Sequence, residues 1–380
     1  MQAKLRILLI SPYLPAIDSS ACSRNIYEYI RLLRQRKHEV YLLSFCSEED
    51  KKRIGAVRPH CTQVHLESIV NYLHYPLKST RLTDKIKFLC RQNKIDILHC
   101  ESAYMSRYLP ENTNIPLVLT EHEVLSASFY ERLKIENNFI KKVILFIRAR
   151  KKQIEERRWY RRFNKIIVFS ENDKDIISKA YHIKNIGVIP LAINLKDYPL
   201  QPKKEKTSDI VFVGNFSHPP NVDAALYLYK YILLLIKKRL PDISLMLAGA
   251  NPPASIRRLS QLDRNIAVTG YTEDILGSYA KAKIFVAPIR YGTGMRFKVL
   301  EAMTMGIPVV STSIGARGIL KENIEIADTP DIFADTVIEL LGDRERCKLL
   351  TENARLTIEK YYNWDFLLDR YENIYYDLLR

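Results

Sequence analysis

One stretch of the sequence decides the fold: Ala287-Pro-Ile-Arg-Tyr-Gly-Thr-Gly-Met-Arg-Phe-Lys-Val-Leu-Glu-Ala-Met-Thr-Met-Gly-Ile-Pro-Val-Val-Ser311. It opens with an apolar run of strand length, passes through a turn with two glycines, continues as a helix and ends in a second apolar run. A strand, a glycine turn, a helix and another strand in this order predict a parallel α/β unit. Because anions bind where a helix begins, the stretch also predicts an anion site.

The backbone of the glycine turn can approach an anion closely. Gly292 and Gly294 have no side chain to keep a phosphate away from the main chain. The N–H groups of Thr293, Gly294 and Met295 lie where the helix begins, so they and the helix dipole can hold the phosphate. A lone pair of glycines would be a weak signal, but here the whole strand, turn and helix context supports the prediction.

Three charged side chains follow in the same helix. Arg296 and Lys298 add positive charge beside the turn. A charge-assisted hydrogen bond contributes about 1.5–3 kcal/mol, so two of them would decide the affinity for a diphosphate. Glu301 lies almost two turns into the helix, where its carboxylate can accept hydrogen bonds from a ribose diol.

Apolar runs alternate with helical stretches along the whole chain, which predicts parallel sheets covered by helices on both faces. We expect strands at 5–11, 39–45, 63–66, 95–100, 117–120 and 165–170, and then at 209–214, 243–248, 266–269, 284–287 and 308–311. Between 190 and 209 prolines and lysines replace the apolar pattern, as in an interdomain linker.

This break divides the chain into two doubly wound, Rossmann-like α/β domains. We expect an N-terminal domain over 1–190, a linker over 191–208 and a C-terminal domain over 209–363. A final helix over about 364–380 is expected to cross back to the N-terminal domain. Two such domains would place a ligand cleft between the carboxyl edges of their sheets.

Composition narrows the class of protein. The chain has 380 residues, of which 47% are hydrophobic and 27% charged, as in a soluble globular enzyme with two or three domains. The six cysteines lack the spacing of a zinc site and are interpreted as reduced thiols. No apolar run reaches the roughly 20 residues of a spanning helix. We therefore expect a cytoplasmic protein, with any membrane contact peripheral to the inner face.

Positive charge is concentrated in the first half, where residues 1–200 have 35 Lys and Arg against 21 Asp and Glu. Such an excess favours an anionic partner, either nucleic acid or a membrane surface. Segment 139–163 has ten Lys and Arg against two Glu and is predicted as a basic helix. Trp159 and Tyr160 would suit a headgroup boundary, although a helix packed on the sheet remains an equal alternative.

The chain contains one Asp-x-Asp motif, Asp173-Lys-Asp175, which elsewhere can bind a divalent ion. It opens a predicted helix, where acidic residues favour the positive end of the helix dipole. We interpret it as a helix start and predict no metal site.

Three segments of the second half resemble the donor-binding segments of glycosyltransferase family 4, whose members are retaining enzymes of the GT-B fold. They are Phe212-Val-Gly-Asn-Phe-Ser-His-Pro-Pro-Asn-Val-Asp-Ala-Ala225, Val268-Thr-Gly-Tyr-Thr-Glu-Asp274 and Gly292-Thr-Gly-Met-Arg-Phe-Lys-Val-Leu-Glu-Ala-Met303. Their order and spacing are those of the family, and the resemblance covers nearly the full chain. It implies two Rossmann-like domains that face each other across a cleft.

The resemblance implies that the C-terminal domain binds a nucleotide-diphosphate sugar of UDP or GDP type, as a substrate and without a cofactor. The base would lie near Tyr271 and Thr272, the diphosphate on the glycine turn with Arg296 and Lys298, and the ribose on Glu301. The full set of implied nucleotide-sugar contacts is Gly214, Asn215, Tyr271, Thr272, Gly292, Thr293, Gly294, Met295 and Val299.

In the N-terminal domain, Val118-Leu-Thr-Glu-His-Glu-Val124 is similar to the family's turn with an active-site histidine. His122 would then contact the transferred sugar, with Glu121 and Glu123 orienting either the histidine or the acceptor. The family's first loop, which approaches the donor phosphate or the acceptor, falls on Ser19, Ser20 and Ala21.

The chain departs from the family pattern at three places. Thr293 stands where the family usually has the first glutamate of a Glu-x(7)-Glu motif, which leaves the identity of the sugar open. Asn215 follows Gly214 where an arginine is common, and Arg296 and Lys298 are the expected replacements for that phosphate clamp. Ser20 and Ala21 replace a glycine pair in the first loop.

The sequence therefore predicts a retaining, metal-independent glycosyltransferase, with a saccharide or lipid-linked acceptor of bacterial surface-polysaccharide assembly. His122, Arg296, Lys298 and Glu301 are the candidate catalytic residues, and no general base is assigned. Two alternatives stay open at this point: a sugar-nucleotide epimerase of similar fold, and a non-catalytic protein that binds nucleotide sugars or nucleic acid. Nucleic acid is the less expected partner, because the basic segment lacks a recognisable nucleic-acid motif.

Overall fold

A computed structural model describes residues 3–17, 21–69, 79–198 and 206–380 of the chain. These residues form two compact units. The first consists of Met1–Ala127, Phe146–Ala192 and Trp364–Arg380, and the second of Ser128–Leu145 and Ile193–Asn363. The second unit thus includes Ser128–Leu145, which the sequence pattern placed within the N-terminal domain. Residues 199–205 of the predicted linker lie outside the described part of the chain.

Two sheets organise these units. The strands are β1 Arg6–Ser11, β2 Glu39–Cys46, β3 Gln63–Ser68, β4 Ile97–Glu101, β5 Leu117–Glu121, β6 Lys165–Val168, β7 Ile186–Val188, β8 Ser208–Val213, β9 Leu245–Ala248, β10 Ile266–Gly270, β11 Ala282–Ala287, β12 Val309–Ser311 and β13 Glu325–Ile326. All strand pairs within both sheets are parallel.

Helices follow most of the strands. They are α1 Ala21–Gln35, α2 Ile54–Val57, α3 Thr80–Gln92, α4 Leu125–Ile135, α5 Phe139–Tyr160, α6 Glu171–Tyr181, α7 Pro219–Tyr227, α8 Leu234–Lys237, α9 Ala254–Arg257, α10 Leu259–Leu262, α11 Ile275–Ala280, α12 Phe297–Thr304, α13 Pro330–Gly342, α14 Arg344–Tyr361 and α15 Trp364–Leu379. A π-helical segment, Leu228–Leu233, joins α7 to α8.

The first sheet has the strand order β3-β2-β1-β4-β5-β6-β7. Its central strands are apolar on both faces, as helices on both sides require, and Ile7 to Ile10 of β1 are fully buried. The order reverses between β1 and β4, and ligands of doubly wound sheets bind at the carboxyl ends of the strands at such a reversal. Ser11, Glu101 and Glu121 end β1, β4 and β5 at this edge.

The C-terminal helix α15 belongs to the first unit and closes one face of its sheet. The Tyr375 hydroxyl hydrogen-bonds both Nδ1 of His99 and the hydroxyl of Tyr29. Nε2 of His99 bonds Oγ1 of Thr120 at 2.8 Å. Burial lowers the pKa of His99 to about 4, so the ring is neutral and structural. Through these bonds α15 supports strands β4 and β5, and His122 directly follows β5.

The second sheet has the order β10-β9-β8-β11-β12-β13. The order reverses between β8 and β11, so the segments after these two strands meet at one edge. Gly214 follows β8, and the glycine turn follows β11. The expectation of two doubly wound α/β units, drawn from alternating apolar runs, is confirmed.

Local differences from the predicted elements have physical reasons. The strand predicted over 165–170 ends at Val168, because Ser170 accepts the N–H of Asp173 at 3.1 Å and caps α6. This cap places the Asp-x-Asp motif in the first turn of a helix, as predicted. Strands β7 and β13, of three and two residues, were not predicted, since short edge strands leave no clear apolar run. Helix α4 was not predicted either.

Helix α5 decides between the two alternatives for Trp159 and Tyr160. They are 8% and 0% exposed and pack in the core of the first unit, so neither lies at a headgroup boundary. Arg107 lies over the Trp159 ring, 5.4 Å from its centroid. Most of the exposed apolar residues of α5 lie in its first half, where Phe139 and Ile140 are 78% and 69% exposed, although Ile154 is also exposed.

Candidate functional site

The glycine turn between β11 and α12 has the backbone conformation that its sequence predicts. Gly292 and Gly294 have φ angles of 108° and 79°, in the region that favours glycine. The Arg296 guanidinium folds back and donates to the carbonyl oxygens of Gly292 (2.6 Å), Thr293 (2.6 Å) and Gly294 (3.0 Å). Arg296 therefore holds the shape of the turn, and its contact with a phosphate stays a prediction.

Lys298 reaches from α12 to the segment after β8. Its Nζ donates to Oδ1 of Asn221 at 2.6 Å and lies 4.5 Å from the ring centroid of Phe212. A Cβ atom built on Gly214 would come within 2.9 Å of this Nζ, so the glycine makes room for the ammonium group. Burial, and then the nearby charge of Arg296, lower the pKa of Lys298 to about 7.

The Asn215 position lacks the arginine that the family often has there. Its side chain accepts the N–H of Ser217 at 2.9 Å, and its main-chain carbonyl accepts from Nδ2 of Asn221 at 2.8 Å. Asn221, which the sequence analysis missed, thus connects this turn to Lys298. Lys298 thus lies beside Gly214, and the predicted role of Arg296 and Lys298 as replacements for the missing clamp stays a prediction.

Glu301 is buried and already holds two partners. The hydroxyl of Tyr198 donates to Oε1 at 2.9 Å, and the hydroxyl of Tyr279 donates to Oε2 at 3.1 Å. The ribose contact of Glu301 stays a prediction. Neither tyrosine was found from sequence, because both are distant from Glu301 along the chain.

The remaining predicted donor contacts differ in exposure. Tyr271 is 65% exposed, as a residue that stacks on a base would be before it binds. Oγ1 of Thr272 accepts the N–H of Asp274 at 3.2 Å. Met295 is 7% exposed, but Val299 is fully buried in the apolar core. The prediction for Val299 is corrected, because no nucleotide reaches a side chain in that core.

Two cavities lie in the second unit. One of about 430 Å³ opens beside the glycine turn and is lined by Arg132, Glu136, Phe216, Asp223 and Tyr291, among others. A larger one of about 990 Å³ lies at the amino ends of the strands, with Lys206, Lys283 and Pro308 in its lining. Because ligands of such sheets bind at the carboxyl ends, the smaller cavity belongs to the candidate site.

His122 lies in the first unit, directly after β5, with both ring nitrogens hydrogen-bonded to protein groups. Nε2 bonds Oε2 of Glu101 at 2.7 Å, and Nδ1 bonds the hydroxyl of Tyr13 at 3.1 Å. Burial alone would lower the pKa of His122, but Cys22 and Glu101 raise it well above its ordinary value. The contact of His122 with a transferred sugar stays a prediction.

Glu101, not a neighbour of His122 in sequence, orients its ring. The Glu121 carboxylate accepts the main-chain N–H groups of Ala103 at 3.2 Å and of His122 at 3.1 Å. Burial, and then the charge of Glu156, raise the pKa of Glu121 to about 8. Glu101 meets His122 because it ends β4, the strand that pairs with β5. The order of the strands in the sheet therefore predicts this contact, whereas the linear sequence does not.

The predicted first loop is mostly outside the described residues. Ser19 and Ser20 lie there, and Ala21 begins α1. Cys22, one residue further, is half-buried and hydrogen-bonds His122. Burial alone would raise the pKa of the Cys22 thiol, but the charge and hydrogen bond of His122 lower it below its ordinary value.

The described part of the chain contains neither a cluster of metal ligands nor a membrane-spanning helix. No group of three or more His, Cys, Asp or Glu side chains is placed to hold a metal ion in that part of the chain. None of the helices over 3–17, 21–69, 79–198 and 206–380 combines the length and apolar character needed to cross a bilayer.

Comparison with known proteins identifies the family. Residues 207–343 match the family described as Glycosyl transferases group 1, and residues 23–197 match Glycosyltransferase Family 4. Together the two matches span most of the chain. The protein therefore belongs to the group 1, family 4 type of glycosyltransferases, and its two α/β units are those of the GT-B fold.

Individual relatives agree over most of their length. The chain is 24% identical to an uncharacterized 44.6 kDa protein in the cps region of Klebsiella pneumoniae, over 94% of this chain and 96% of the relative. It is 22% identical to the Escherichia coli UDP-Gal:alpha-D-GlcNAc-diphosphoundecaprenol alpha-1,3-galactosyltransferase, over 77% and 78% of the two chains. The crystal structure of Anabaena HepE in complex with UDP superposes with a TM-score of 0.69, 12% identity and coverage of 98% and 100%.

The contact between Cys22 and His122 predicts unusual thiol reactivity. We expect iodoacetamide to label Cys22 before the half-buried Cys347, because the thiolate is the nucleophile and burial raises the pKa of Cys347. His122→Asn should slow the labelling of Cys22 several-fold at pH 7, measured site by site with mass spectrometry. His60→Asn, which changes a histidine bonded to Tyr27, is the matched control. Equal labelling of Cys22 and Cys347 in the wild type would contradict this prediction.

Proposed function

We propose that this glycosyltransferase moves a sugar from a nucleotide-diphosphate donor to a saccharide or lipid-linked acceptor, with retention of the anomeric configuration. The observation that supports this proposal best is the position of Lys298. Its ammonium group lies beside the Gly214 turn, and the residue itself is on α12, the helix that follows the glycine turn. A cation at this position suits a diphosphate that contacts both turns.

The chemistry asks the protein mainly to stabilise a leaving group. The bond from the anomeric carbon to the donor phosphate breaks, and a bond to an acceptor hydroxyl oxygen forms on the same face. Negative charge develops on the nucleoside diphosphate as this bond breaks, and the departing phosphate then takes the acceptor proton. Lys298 and the N-terminus of α12 stabilise that charge electrostatically, which is commonly the largest contribution to catalysis.

A uridine donor has the most support. HepE was crystallised with UDP, and the Escherichia coli relative is named as a UDP-galactose enzyme. The exposed Tyr271 offers a stacking surface for a base. We therefore propose UDP as the leaving nucleotide, with GDP as the competing candidate.

The acceptor is proposed from the relatives and from the charge of the chain. The Klebsiella pneumoniae relative lies in a cps region, and the Escherichia coli relative acts on a diphosphoundecaprenol-linked sugar. A lipid-linked acceptor would bring an anionic diphosphate and a membrane surface to a chain with a net charge of +16. We propose an acceptor of this chemical class, used in surface-polysaccharide synthesis.

Calorimetric titration with UDP and GDP tests the donor site. We expect one of them to bind without added metal, and Lys298→Met to weaken its binding roughly 10- to 100-fold, since a charge-assisted contact of about 1.5–3 kcal/mol is lost. Lys348→Met, on α14 and outside the site, is the matched control. If neither nucleotide binds the wild type, or if Lys298→Met and Lys348→Met bind the nucleotide equally well, the proposal is wrong.

The NMR coupling constant of the anomeric proton in the product tests whether the anomeric configuration is retained.

The start of α5 supports a proposal of membrane docking. An apolar-basic patch is formed by Phe139, Ile140, Val143 and Ile144, which are 78%, 69%, 42% and 44% exposed. Lys141 and Lys142 lie between these residues in the sequence. Helices with such a mixture bind anionic lipid surfaces by burying the apolar side chains while the lysines contact headgroups.

Co-sedimentation with vesicles tests the apolar-basic patch. Wild type should bind phosphatidylglycerol vesicles better than phosphatidylcholine vesicles, with weaker binding in high salt. The double variant Phe139→Ser and Ile140→Ser should lose more than tenfold in affinity, since each buried side chain contributes about 1.5–3 kcal/mol. Leu349→Ser with Leu356→Ser, which changes two apolar residues of α14 that are 61% and 62% exposed, is the control. An equal loss in both double variants would reject the docking surface.

A further inference from the structure

The glycine turn has two of its backbone donors engaged by side chains of helix α4. The Gly292 N–H donates to Oε2 of Glu131 at 2.9 Å, and the Thr293 N–H donates to Oγ of Ser128 at 2.9 Å. Ser128 and Thr293 are 9% and 2% exposed, and their hydroxyl oxygens are 3.2 Å apart. A carboxylate and a hydroxyl of the protein thus bind the turn that the sequence predicts to hold an anion.

Arg317 holds the Glu131 carboxylate in this position. Nη1 of Arg317 lies 2.6 Å from Oε1 of Glu131 and 3.1 Å from the carbonyl oxygen of Gly292, to which it donates. The side chains of Glu131 and Arg317 are 17% and 18% exposed, so water screens their interaction only partly. Oε2 of Glu131 is thereby aimed at the Gly292 N–H.

A backbone N–H group has one hydrogen and makes one strong hydrogen bond. An anionic donor that uses the Gly292 and Thr293 N–H groups must therefore replace Glu131 and Ser128. The Glu131 charge also repels a diphosphate from the space beside the turn. Both effects act against donor binding, and both come from side chains that sequence patterns did not single out.

We propose that Glu131 and Ser128 are built-in competitors of the donor, which occupy the glycine turn until a nucleotide sugar displaces them. The inference rests on the proposed function, because it assumes that the turn binds a nucleotide diphosphate. It deepens that function by assigning two residues of α4 to the control of donor affinity. Arg317 acts as a positioning residue, since it orients Glu131 and loses this partner when the donor binds.

Removing either Glu131 or Ser128 is expected to strengthen donor binding, but to different extents. Removing the Glu131 charge frees the Gly292 N–H and ends the repulsion, so the donor binds more tightly. Removing the Ser128 hydroxyl frees the Thr293 N–H without any change of charge, so the gain is smaller. A residue that contacts the donor directly would show the opposite sign, with weaker binding on removal.

Calorimetric titration with UDP tests the proposal on the full chain. We expect Glu131→Gln to bind UDP about tenfold more tightly than wild type, and Ser128→Ala about two- to fourfold more tightly. Glu339→Gln removes the same charge on α13, outside the candidate site, where the side chain is 60% exposed and pairs with Arg346, and should change affinity by less than twofold.

The outcomes separate this proposal from the proposed function. If wild type binds neither UDP nor GDP, the donor site itself is wrong and the inference falls with it. If wild type binds UDP and both Glu131→Gln and Ser128→Ala bind it equally or more weakly, only the inference is overturned. A gain of the same size in Glu339→Gln would also overturn it, since the effect would then be one of net charge. Thermal melting of each variant shows whether it is folded. If Glu131→Gln does not fold, the UDP affinity of Ser128→Ala alone tests the inference.

Discussion

The candidate donor site depends on one buried interaction, the contact of the Lys298 ammonium with the segment after β8. Nζ donates to Asn221 and lies above the Phe212 ring, in space that only a glycine at position 214 leaves open. This contact joins the two turns that end at the sheet reversal. Since a buried ammonium costs free energy unless an anion accompanies it, the diphosphate that we propose to bind here would stabilise the charged form of Lys298.

Charged and polar side chains also meet in the first unit, where the carboxyl ends of three strands lie together. Glu101 and Tyr13 bind the two nitrogens of His122, and Cys22 adds a third polar partner. Glu101 and Cys22 raise the pKa of His122, and His122 in turn lowers the pKa of the Cys22 thiol. Each unit thus places a basic side chain at the reversal of its sheet, His122 in one and Lys298 in the other.

Much of the fold could be predicted from sequence, because apolar runs of strand length record burial on both faces of a parallel sheet. Strand β1 and helix α15 lie where their apolar patterns placed them. The partners of the site residues could not be predicted in this way. Glu101 reaches His122 only because β4 and β5 are neighbours in the sheet, and Tyr198 reaches Glu301 across 103 positions of the chain.

The points that the sequence left open or missed have a common physical origin. Trp159 and Tyr160 follow a run of basic residues, so the pattern could not decide between a membrane surface and a helix packed on the sheet. Both side chains are buried, and aromatic side chains of this size contribute more in a core. The pattern likewise gave no sign that Ser128 and Glu131 bind the glycine turn, since a serine and a glutamate on a helix are ordinarily solvated. Composition predicts which residues are polar, while the tertiary fold decides which polar groups meet.

Proton uptake during donor binding tests the central claim most directly. The pKa of Lys298 is about 7 in the free protein, and a neighbouring diphosphate must raise it. Calorimetry in buffers of different ionisation enthalpy, with a nucleotide sugar whose diphosphate stays ionised, measures this uptake. The account predicts uptake of a proton at pH 8, an affinity that rises as the pH falls toward 7 and then levels off, and loss of both effects in Lys298→Met. An affinity independent of pH between 6 and 9, without proton uptake, would contradict it.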